Sequence, residues 1–419
     1  MRMNIPKKNL FYVLAITSSI IAAAVTGLDS FVGGQPAFKY DPWAFAFSIF
    51  FVGAIVTLLI SLFFSIRLHK KSIGAKVLDP SFSHVRLLQK GELKNHLVAG
   101  LMNAINTVGY CAIVSQVQDP SVILSFSQVV ILYLILMESI TEKDVPTLVE
   151  IQSSVIVTFG AILASISLKG EFQLMALAIV FIVINPTWAI FSIFQRRLKL
   201  MRIHNKPNDA INIRMWNVFF SLFFTALILL GFDLATHGSH LLAGFNAILS
   251  PYLFFLLAAT MSTTFFSYVL YIRSLGLGKA SINNAIRAST IIFAIPFSLL
   301  LVYLGVMSPP STDPVMLIIK IIGLTLIIFG IISFAFTVVK AYIFITVKPG
   351  KPHKEIMDKL WDIKGVTHVT VTAGKYDIMV KVSTRTLLKG YERIIKKIEE
   401  IPEIQKYRWA SVLRDWENI

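Results

Sequence analysis

Residues 331–350 have the sequence IISFAFTVVKAYIFITVKPG, and the character of the chain changes within them. The first half of this stretch continues a long apolar region. The second half alternates apolar and polar side chains with the period of a β-strand. Apolar runs dominate everything before Lys340, and charged helices with short strands follow it. The sequence therefore predicts a membrane body over residues 1–340 and a water-soluble domain over residues 341–419.

The composition agrees with a membrane body. The 419 residues are 55% hydrophobic and 15% charged, whereas soluble domains carry roughly 25% charged residues. Lipid-facing surface cannot carry charge, so the deficit is typical of a chain that crosses the bilayer repeatedly. The net charge of +16 is concentrated in loops, notably over 67–94 and 196–214, as the positive-inside rule describes. Membrane topology thus explains the charge, and no nucleic-acid partner is expected.

Ten segments are long and apolar enough to be transmembrane helices, which need about 20 residues. Basic loops alternate with loops that hold almost no Lys or Arg, and an even number of spans then places both termini in the cytoplasm. We interpret the first segment as a span rather than a signal peptide, since no small-residue cleavage site ends it. We predict a multi-pass protein of the prokaryotic cytoplasmic membrane, surrounded by membrane lipid. The predicted spans are Leu10–Leu28, Trp43–Ile66, Leu97–Val117, Ser121–Met137, Val149–Leu168, Phe172–Phe194, Met215–Phe232, Tyr252–Ile272, Ile282–Val306 and Val315–Val339.

The membrane body contains an internal duplication. Ser153 and the pair Phe159-Gly160 have the same spacing as Gly323 and the pair Phe329-Gly330. The halves 1–168 and 169–340 each hold five spans, and an odd number places them in opposite orientations. Inverted repeats are typical of transporters, with the substrate site near the bilayer midplane between the halves.

Three segments of the membrane body, at residues 120–141, 195–199 and 267–281, together resemble the drug/metabolite transporter superfamily, EamA type. The resemblance implies export or exchange of small metabolites without ATP, driven by protons or by a counter-substrate. The chain lacks the arginine that often begins span 2 in that family, and its second half lacks a counterpart of Glu138. The substrate class therefore stays open. The segments are residues 120–141, a proline-led helix that ends near Glu138, the close of span 6 at residues 195–199, and the span 8 to 9 junction at residues 267–281.

Polar side chains within the predicted spans mark a candidate substrate path. A buried polar group in a bilayer faces a cavity or another helix, so the alternative for the hydroxyl and amide groups is helix-to-helix hydrogen bonding. Arg287 is predicted to hold an anionic group, and its alternative is to extend towards the membrane surface. Asp29 is interpreted as a solvated loop charge rather than a proton carrier. The path residues are Asn103, Asn106, Tyr110, Ser127, Gln128, Asn185, Trp188, Tyr268, Asn283, Asn284 and Arg287.

The segment after Lys340 has the pattern of a small α+β domain. Four strand-like runs and two amphipathic helices follow each other as β-α-β-β-α-β, which predicts a ferredoxin-like domain. A turn over residues 373–377 joins the two central strands. The predicted strands are Tyr342–Val347, Val366–Thr372, Ile378–Val382 and Ile404–Leu413, and the helices begin at Pro352 and Thr386.

This tail resembles the C-terminal effector domain of Lrp/AsnC regulators through Val347-Lys-Pro-Gly350, Gly374-Lys-Tyr-Asp377 and Ile401-Pro402. The resemblance implies that the domain binds an amino acid or a related metabolite and pairs with a second copy through its sheet. It also implies that Gly374, Tyr376 and Asp377 are effector-binding residues. Asp377 either receives an ammonium group or accepts backbone hydrogen bonds within its turn.

The sequence does not predict an enzyme. It holds no Walker A, HExxH or GxSxG motif, and we interpret His237 and His240 as an outer-loop pair without carboxylate or cysteine partners to complete a metal site. We therefore expect no catalytic residue, no metal site and no cofactor. The predicted function is secondary transport of small organic metabolites, with a cytoplasmic domain that binds an effector and regulates or dimerises the transporter. The alternative is a membrane-anchored sensor without transport activity.

Overall fold

The computed structural model describes most of the chain, and it separates into two compact units. The first comprises residues 1–144 and 155–329 and is helical, and the second comprises residues 145–154 and 330–419 and contains a β-sheet. The residues described are 7–68, 71–117, 129–142, 148–164, 178–203, 206–278, 280–303, 305, 314–336, 338–363, 365–385 and 390–411.

Helices dominate the chain up to residue 336. Five of them are long and apolar enough to cross a membrane among the residues described, namely α1, α3, α5, α9 and α11. The bounds are α1 (Lys7–Gly33), α2 (Pro36–Lys39), α3 (Pro42–Ser65), α4 (Ile73–Val77), α5 (Lys90–Val117), α6 (Val130–Glu142), α7 (Leu148–Ala164), α8 (Asn185–Leu200), α9 (Ala210–Thr236), α10 (His240–Ile248), α11 (Pro251–Leu275), α12 (Ala280–Arg287), α13 (Thr290–Tyr303) and α14 (Pro314–Phe336).

Other predicted spans fall partly outside the described residues, so the total of ten stays a prediction. The predicted ninth span, Ile282–Val306, is interrupted, because α12 ends at Arg287 and α13 begins only at Thr290. The hydrogen-bond pattern changes at the end of α12. The backbone of Ala288 still donates to the carbonyl four residues earlier, that of Asn284, but the backbone of Ser289 donates to the carbonyl three residues earlier, that of Ile286. Hydropathy cannot detect such a break, since Ala288 and Ser289 are small and leave the apolar average unchanged.

Short polar motifs begin several of these helices. Asp41 accepts a hydrogen bond from the backbone of Ala44 at 2.9 Å, and Pro42 follows it as the first residue of α3. Asp209 caps α9 in the same way, with the backbone of Asn212 donating at 2.8 Å. Each cap satisfies an amide that would otherwise lack a partner at the helix end.

A π-helical turn over Val180–Ile184 precedes α8 and explains how the chain tolerates Pro186. Proline has no amide hydrogen, so the carbonyl five residues earlier, that of Phe181, loses its partner in a π-turn. The hydroxyl of Tyr133 donates to this carbonyl at 2.8 Å. The distortion is therefore stabilised by a side chain of α6.

Serine side chains join α1 to α11. Ser18 donates to the carbonyl of Ser267 at 2.9 Å, and Ser267 donates to the carbonyl of Ser18 at 3.1 Å. Small residues allow two helices to approach closely and exchange such bonds. The hydroxyl of Ser267 therefore has the helix-bridging role that was the alternative for such groups.

A buried polar network connects the segment between α3 and α5 with the segment between α8 and α9. Arg86 donates to both carboxylate oxygens of Glu92, at 2.6 and 2.7 Å, and to Asn208 at 2.8 Å. Lys199 forms an ion pair with Asp79 and donates to the carbonyl of Asn208. We call Asp79, Arg86, Glu92, Lys199 and Asn208 the loop network. Two of the basic residues expected to mark topology are thus also structural.

The second unit contains a four-stranded antiparallel sheet in the order β6-β7-β5-β8. Alternate residues of β5, among them Ala341, Ile343 and Ile345, are buried against the two helices of the domain, as period-2 alternation requires. The bounds are β5 (Val338–Val347), α15 (His353–Trp361), β6 (Val366–Val371), β7 (Ile378–Arg385), α16 (Gly390–Glu399) and β8 (Ile404–Ser411), and two-residue hairpins earlier in the chain form β1 (Arg67–Leu68) with β2 (Lys71–Ser72) and β3 (Arg202–Ile203) with β4 (Lys206–Pro207).

The last apolar helix ends earlier than predicted. We expected it to continue to Val339, but α14 ends at Phe336 and β5 begins at Val338. Val338 and Val339 pair with Arg385 and Thr384 of β7. Adjacent β-branched residues favour a strand, and the pairing partner lies too far along the chain for hydropathy to indicate it.

Candidate functional site

The helical unit encloses a cavity of about 190 Å³. It lies among α1, α3, α5, α8, α9, α11 and α12, with further contributions from α6, α13 and the π-helical turn. Pockets for drug-sized ligands are usually about 300–1,000 Å³, so this cavity has the size for a small metabolite.

Most of the predicted path residues line this cavity. They come from four different helices, which the sequence alone could not bring together. They are Asn103, Asn106, Tyr110, Asn185, Trp188, Tyr268, Asn284 and Arg287.

Three predicted path residues do not appear in its lining. Ser127 and Gln128 lie outside the described residues. Asn283 is buried away from the cavity, where its side-chain oxygen accepts a hydrogen bond from Ser274 at 2.8 Å. Its neighbour Asn284 faces the cavity instead, because consecutive helical residues point in different directions.

The polar residues of α5 combine a cavity position with bonds to other helices. Asn103 donates to Ser221 of α9 at 2.8 Å, and Asn106 donates to the carbonyl of Ile184 at 2.9 Å. Tyr110 lies one turn further along the same face. These contacts show that the two alternatives for the amides, cavity lining and helix bridging, occur together.

Two arginine side chains line the cavity, and three aromatic rings lie near the first of them, Arg287, whereas one lies near the second, Arg214. The guanidinium carbon of Arg287 lies 4.6 Å from the ring centre of Tyr271, 5.2 Å from Trp188 and 5.5 Å from Tyr268. That of Arg214 lies 4.1 Å from the ring centre of the same Tyr268. Such contacts stabilise a buried cation by roughly 0.5–2 kcal/mol each.

Further hydrogen bonds fix the aromatic rings. Asn284 accepts from the indole of Trp188 at 3.1 Å and donates to the hydroxyl of Tyr271 at 3.0 Å. The same hydroxyl donates to Ser192 at 2.7 Å. The rings therefore form a fixed frame around Arg287.

The position of Arg214 differs from the expectation. We grouped it with the basic loop at 196–214, but it lies inside α9 and is only 2% exposed. The predicted span began at Met215 because Arg214 itself interrupted the apolar run. The signal that would have located it is the cap at Asp209, which begins the helix at Ala210 and leaves Arg214 one turn inside it.

The interpretation of Asp29 as a solvated loop charge is wrong. Helix α1 continues to Gly33, beyond the predicted end at Leu28, so Asp29 lies within the helix. Its side chain is 8% exposed, lines the cavity and accepts a hydrogen bond from the hydroxyl of Tyr110 at 3.1 Å. The cavity therefore contains one carboxylate in addition to its two arginines.

Gly374, Tyr376 and Asp377, the predicted effector residues, lie in or beside the turn between β6 and β7. Gly374 has φ +155°, a backbone conformation that L-residues rarely adopt. The carboxylate of Asp377 accepts a hydrogen bond from the backbone amide of Val347 in β5 at 2.7 Å, so it is a backbone acceptor in this structure, although its partner lies outside the turn. The ring of Tyr376 packs on Phe344 at 5.2 Å, and a hydrogen bond from Arg408 lowers the pKa of Tyr376.

Residues 340–417 match the family described as Lrp/AsnC ligand binding domain. The C-terminal segment is an Lrp/AsnC ligand binding domain. The resemblance seen in the Gly374-Lys-Tyr-Asp377 turn is thereby confirmed, whereas the EamA resemblance of the preceding helices stays a prediction.

Solved structures similar to parts of this chain include a hypothetical protein from Pyrococcus horikoshii. It is 35% identical, and the match covers 18% of this chain and 92% of that chain, with a TM-score of 0.17. AsnC of E. coli is 24% identical over 32% of this chain and 77% of that chain, with a TM-score of 0.19. A third crystal structure is 14% identical over 78% of this chain and 95% of that one, with a TM-score of 0.44.

No curated protein matches the chain. Among the described residues, no group of three or more His, Cys, Asp or Glu side chains is arranged to hold a metal ion.

Proposed function

We propose that this chain is a secondary transporter of small organic metabolites whose Lrp/AsnC domain binds an effector and regulates or dimerises it. The observation that carries the proposal is the cavity among the apolar helices, lined by Asn103, Asn106, Tyr110 and Arg287. Ionisable and amide groups are expensive within a bilayer and mark solute or ion pathways when they are retained.

The proposed architecture is ten spans in two inverted halves, with both termini in the cytoplasm. The duplicated pattern around Gly160 and Gly330 supports it. Transport in such proteins results from movement of one half against the other around a central site. The π-helical turn at Val180–Ile184 is a point at which a span bordering the cavity departs from regular helix, as spans beside transporter sites commonly do.

The regulatory part of the proposal rests on the Lrp/AsnC domain, for which we propose a ferredoxin-like fold. The effector would be an amino acid or a related small metabolite, bound near Gly374, Tyr376 and Asp377. Tyr342 and Phe344 project from β5 on the opposite side from the buried Ile343 and Ile345. Two copies of the domain would pair through this sheet face.

Solute flux in vesicles reconstituted with the full chain tests the transport proposal. We expect uptake or exchange of at least one small metabolite above the rate of protein-free vesicles. A chain that ends at Phe336 should retain flux and lose its response to effectors. Absence of flux from every solute, with or without the tail, would contradict transport.

A membrane-anchored sensor is the second candidate function. It is favoured by the family match, which assigns ligand binding to the tail and says nothing of the helices. In that case effector binding would persist while no solute crossed the membrane. Calorimetric titration of amino acids into the full chain, alongside the flux assay, separates the two functions.

A further inference from the structure

We propose that the cavity binds the oxyanion group of a small organic anion, a carboxylate or a phosphate, between the guanidinium groups of Arg214 and Arg287. This inference rests on the proposed function and specifies the charge class of the solute. It assigns the two arginines a shared role in substrate binding.

The first argument is the placement of the two cations. Both line one cavity, and both lie over the ring of Tyr268, at 4.1 and 5.5 Å. Their guanidinium carbons are therefore no more than about 10 Å apart. Two like charges that close repel each other strongly in a low-dielectric interior. An anion between them would convert that repulsion into attraction to a common partner.

The second argument is the unused hydrogen-bonding capacity of the two side chains. The Nε and Nη1 atoms of Arg214 and the Nη1 atom of Arg287 are buried, with no hydrogen-bond partner among the described residues. Neither arginine forms a salt bridge within the part of the chain that the structure describes. A ring face stabilises the positive charge, but it offers no oxygen atom to these N–H donors.

Each guanidinium group has an intrinsic geometry that suits an oxyanion. A guanidinium presents its N–H groups as a planar fork that matches two oxygens of a carboxylate or phosphate. A buried donor without a hydrogen-bond partner destabilises the folded protein, and more strongly when the group is charged. Binding of an anion would remove that destabilisation at several atoms at once.

The third argument is the charge balance of the cavity. Among the residues that the structure describes, the ionisable side chains in its lining, apart from tyrosines, are Arg214, Arg287 and Asp29. Even with Asp29 ionised, the positive charges outnumber the negative ones. Asp29 also accepts from Tyr110 and forms no salt bridge with either arginine. The net positive charge of the cavity would repel a cationic solute, whereas an anionic solute would neutralise that charge.

Thermal unfolding of the purified full chain in detergent tests the assignment directly. The added solutes are succinate, inorganic phosphate, succinamide as the uncharged control for succinate, and putrescine as a cationic control. We expect succinate or phosphate to raise the unfolding midpoint in a saturable way, and succinamide and putrescine to leave it unchanged. Which of the two anions acts distinguishes a carboxylate site from a phosphate site.

Three variants locate the effect. Arg214→Gln and Arg287→Gln should each weaken anion binding at least about tenfold, because each removes charge-assisted hydrogen bonds to the anion. Arg197→Gln is the matched control, since Arg197 is an exposed arginine that also lies over a ring, that of Phe194, and does not line the cavity. Its response to the anion should equal that of the unmodified chain.

Lysine variants keep the test valid if a glutamine variant fails to fold. Arg214→Lys and Arg287→Lys retain the charge and lose the planar fork, so they should bind the anion more weakly than arginine. The assignment is wrong if no anion of either class raises the midpoint, or if both lysine variants respond to it as the unmodified chain does.

The flux assay separates failure of this inference from failure of transport. Flux of only neutral or cationic solutes, unaffected by anions, would leave transport standing and overturn the anion site. Anion binding that depends on Arg214 and Arg287, without any flux, would sustain the site and contradict the transport proposal.

Discussion

At the scale of single residues, the ion pair between Lys199 and Asp79 shows how a loop charge becomes structural. Lys199 is 9% exposed and Asp79 is 2% exposed. The same carboxylate accepts from the backbone of Ala210 at 2.8 Å, so it holds the start of α9. A buried ion pair stabilises the fold little more than an apolar pair of the same shape would. Loss of one partner nevertheless destabilises the fold strongly, because the other charge remains buried.

Asp79→Asn should therefore destabilise the protein by about 3–5 kcal/mol, since it leaves the ammonium of Lys199 buried without a counter-charge. The double variant Asp79→Asn with Lys199→Met should recover a large part of that loss, because neither charge is then present. Unfolding midpoints of the two single variants and the double variant measure the coupling. Purely additive losses would contradict a direct interaction.

The same pair predicts a loss of stability in acid. Burial alone would raise the pKa of Asp79, but the charge of Lys199 and hydrogen bonds outweigh it and hold this pKa below its ordinary 3.8. A carboxyl with a lowered pKa in the folded state contributes stability that is fully present above about pH 4 and is lost as the pH falls through the lowered pKa.

Asp209 acts in the opposite direction, since burial raises its pKa and protonation then favours the folded form. Comparing the pH dependence of the unfolding midpoint between the unmodified chain and Asp79→Asn separates the contribution of Asp79 from that of Asp209. The difference between their unfolding midpoints should be constant from about pH 7 to about pH 5 and should shrink below about pH 4. A difference that grows in acid would contradict the assignment.

Single residues also show what sequence could and could not predict. The amides of α5 and Arg287 were identified from their type, because a polar side chain in an apolar run is conspicuous. Arg214 and Asp29 were assigned to loops, because an ionisable residue next to a run shortens the run that hydropathy detects. The partner of Lys199 lies 120 residues away, and no local pattern indicates it.

At the scale of helices and strands, the crossing of α7 with α14 depends on glycine. A Cβ atom at Gly160 would lie 2.7 Å from the carbonyl oxygen of Gly323 and 2.8 Å from the amide nitrogen of Ile327. Backbone atoms cannot rotate away as a side chain would, so the helices approach each other only because residue 160 is glycine. Gly160 and Gly323 both belong to the duplicated pattern noted in the sequence.

Gly160→Ala should destabilise the protein, by about 1–3 kcal/mol for an overpacked contact. Gly231→Ala is the matched control, since a Cβ atom there meets nothing within 4 Å. That change should be neutral or stabilising by up to about 1 kcal/mol, because alanine favours helix. Equal unfolding midpoints for the two variants would show that the helices do not cross closely at Gly160.

Element boundaries are where sequence and structure differ most. Periodicity located the strands and helices of the tail to within a few residues at their ends, because each has one buried face. It failed at Val338, where the pairing of β5 with β7 ends α14 early, and at Ala288, where α12 gives way to α13. Both boundaries are set by contacts across the fold rather than by the local sequence.

At the scale of the whole molecule, a single residue separates the last apolar helix from the Lrp/AsnC domain. Helix α14 ends at Phe336 and β5 begins at Val338. The sequence there contains no Gly- or Ser-rich linker that would let the two parts move independently. Strand β5 is also central in its sheet, paired with both β7 and β8. A movement of β5 on effector binding would therefore be transmitted to α14 through only one intervening residue of the chain.

This connection predicts that effector regulation depends on the length of the junction. A flexible insert of about ten Gly and Ser residues after Phe336 should abolish the effect of the effector on flux, because such linkers behave as random coils. Basal flux and effector binding should both remain. Flux in vesicles and calorimetric titration of the same preparation measure the two quantities separately.

The same insert after Gly350 provides the control. Gly350 adopts φ +77° in the turn that follows β5, and nothing lies within 4 Å of its Cβ position, so the insert is sterically tolerated there. It leaves the path from β5 to α14 unbroken, and regulation should persist. The opposite result would be loss of regulation by the insert after Gly350 and retention of regulation by the insert after Phe336. It would mean that the effector signal does not pass through the covalent junction between β5 and α14.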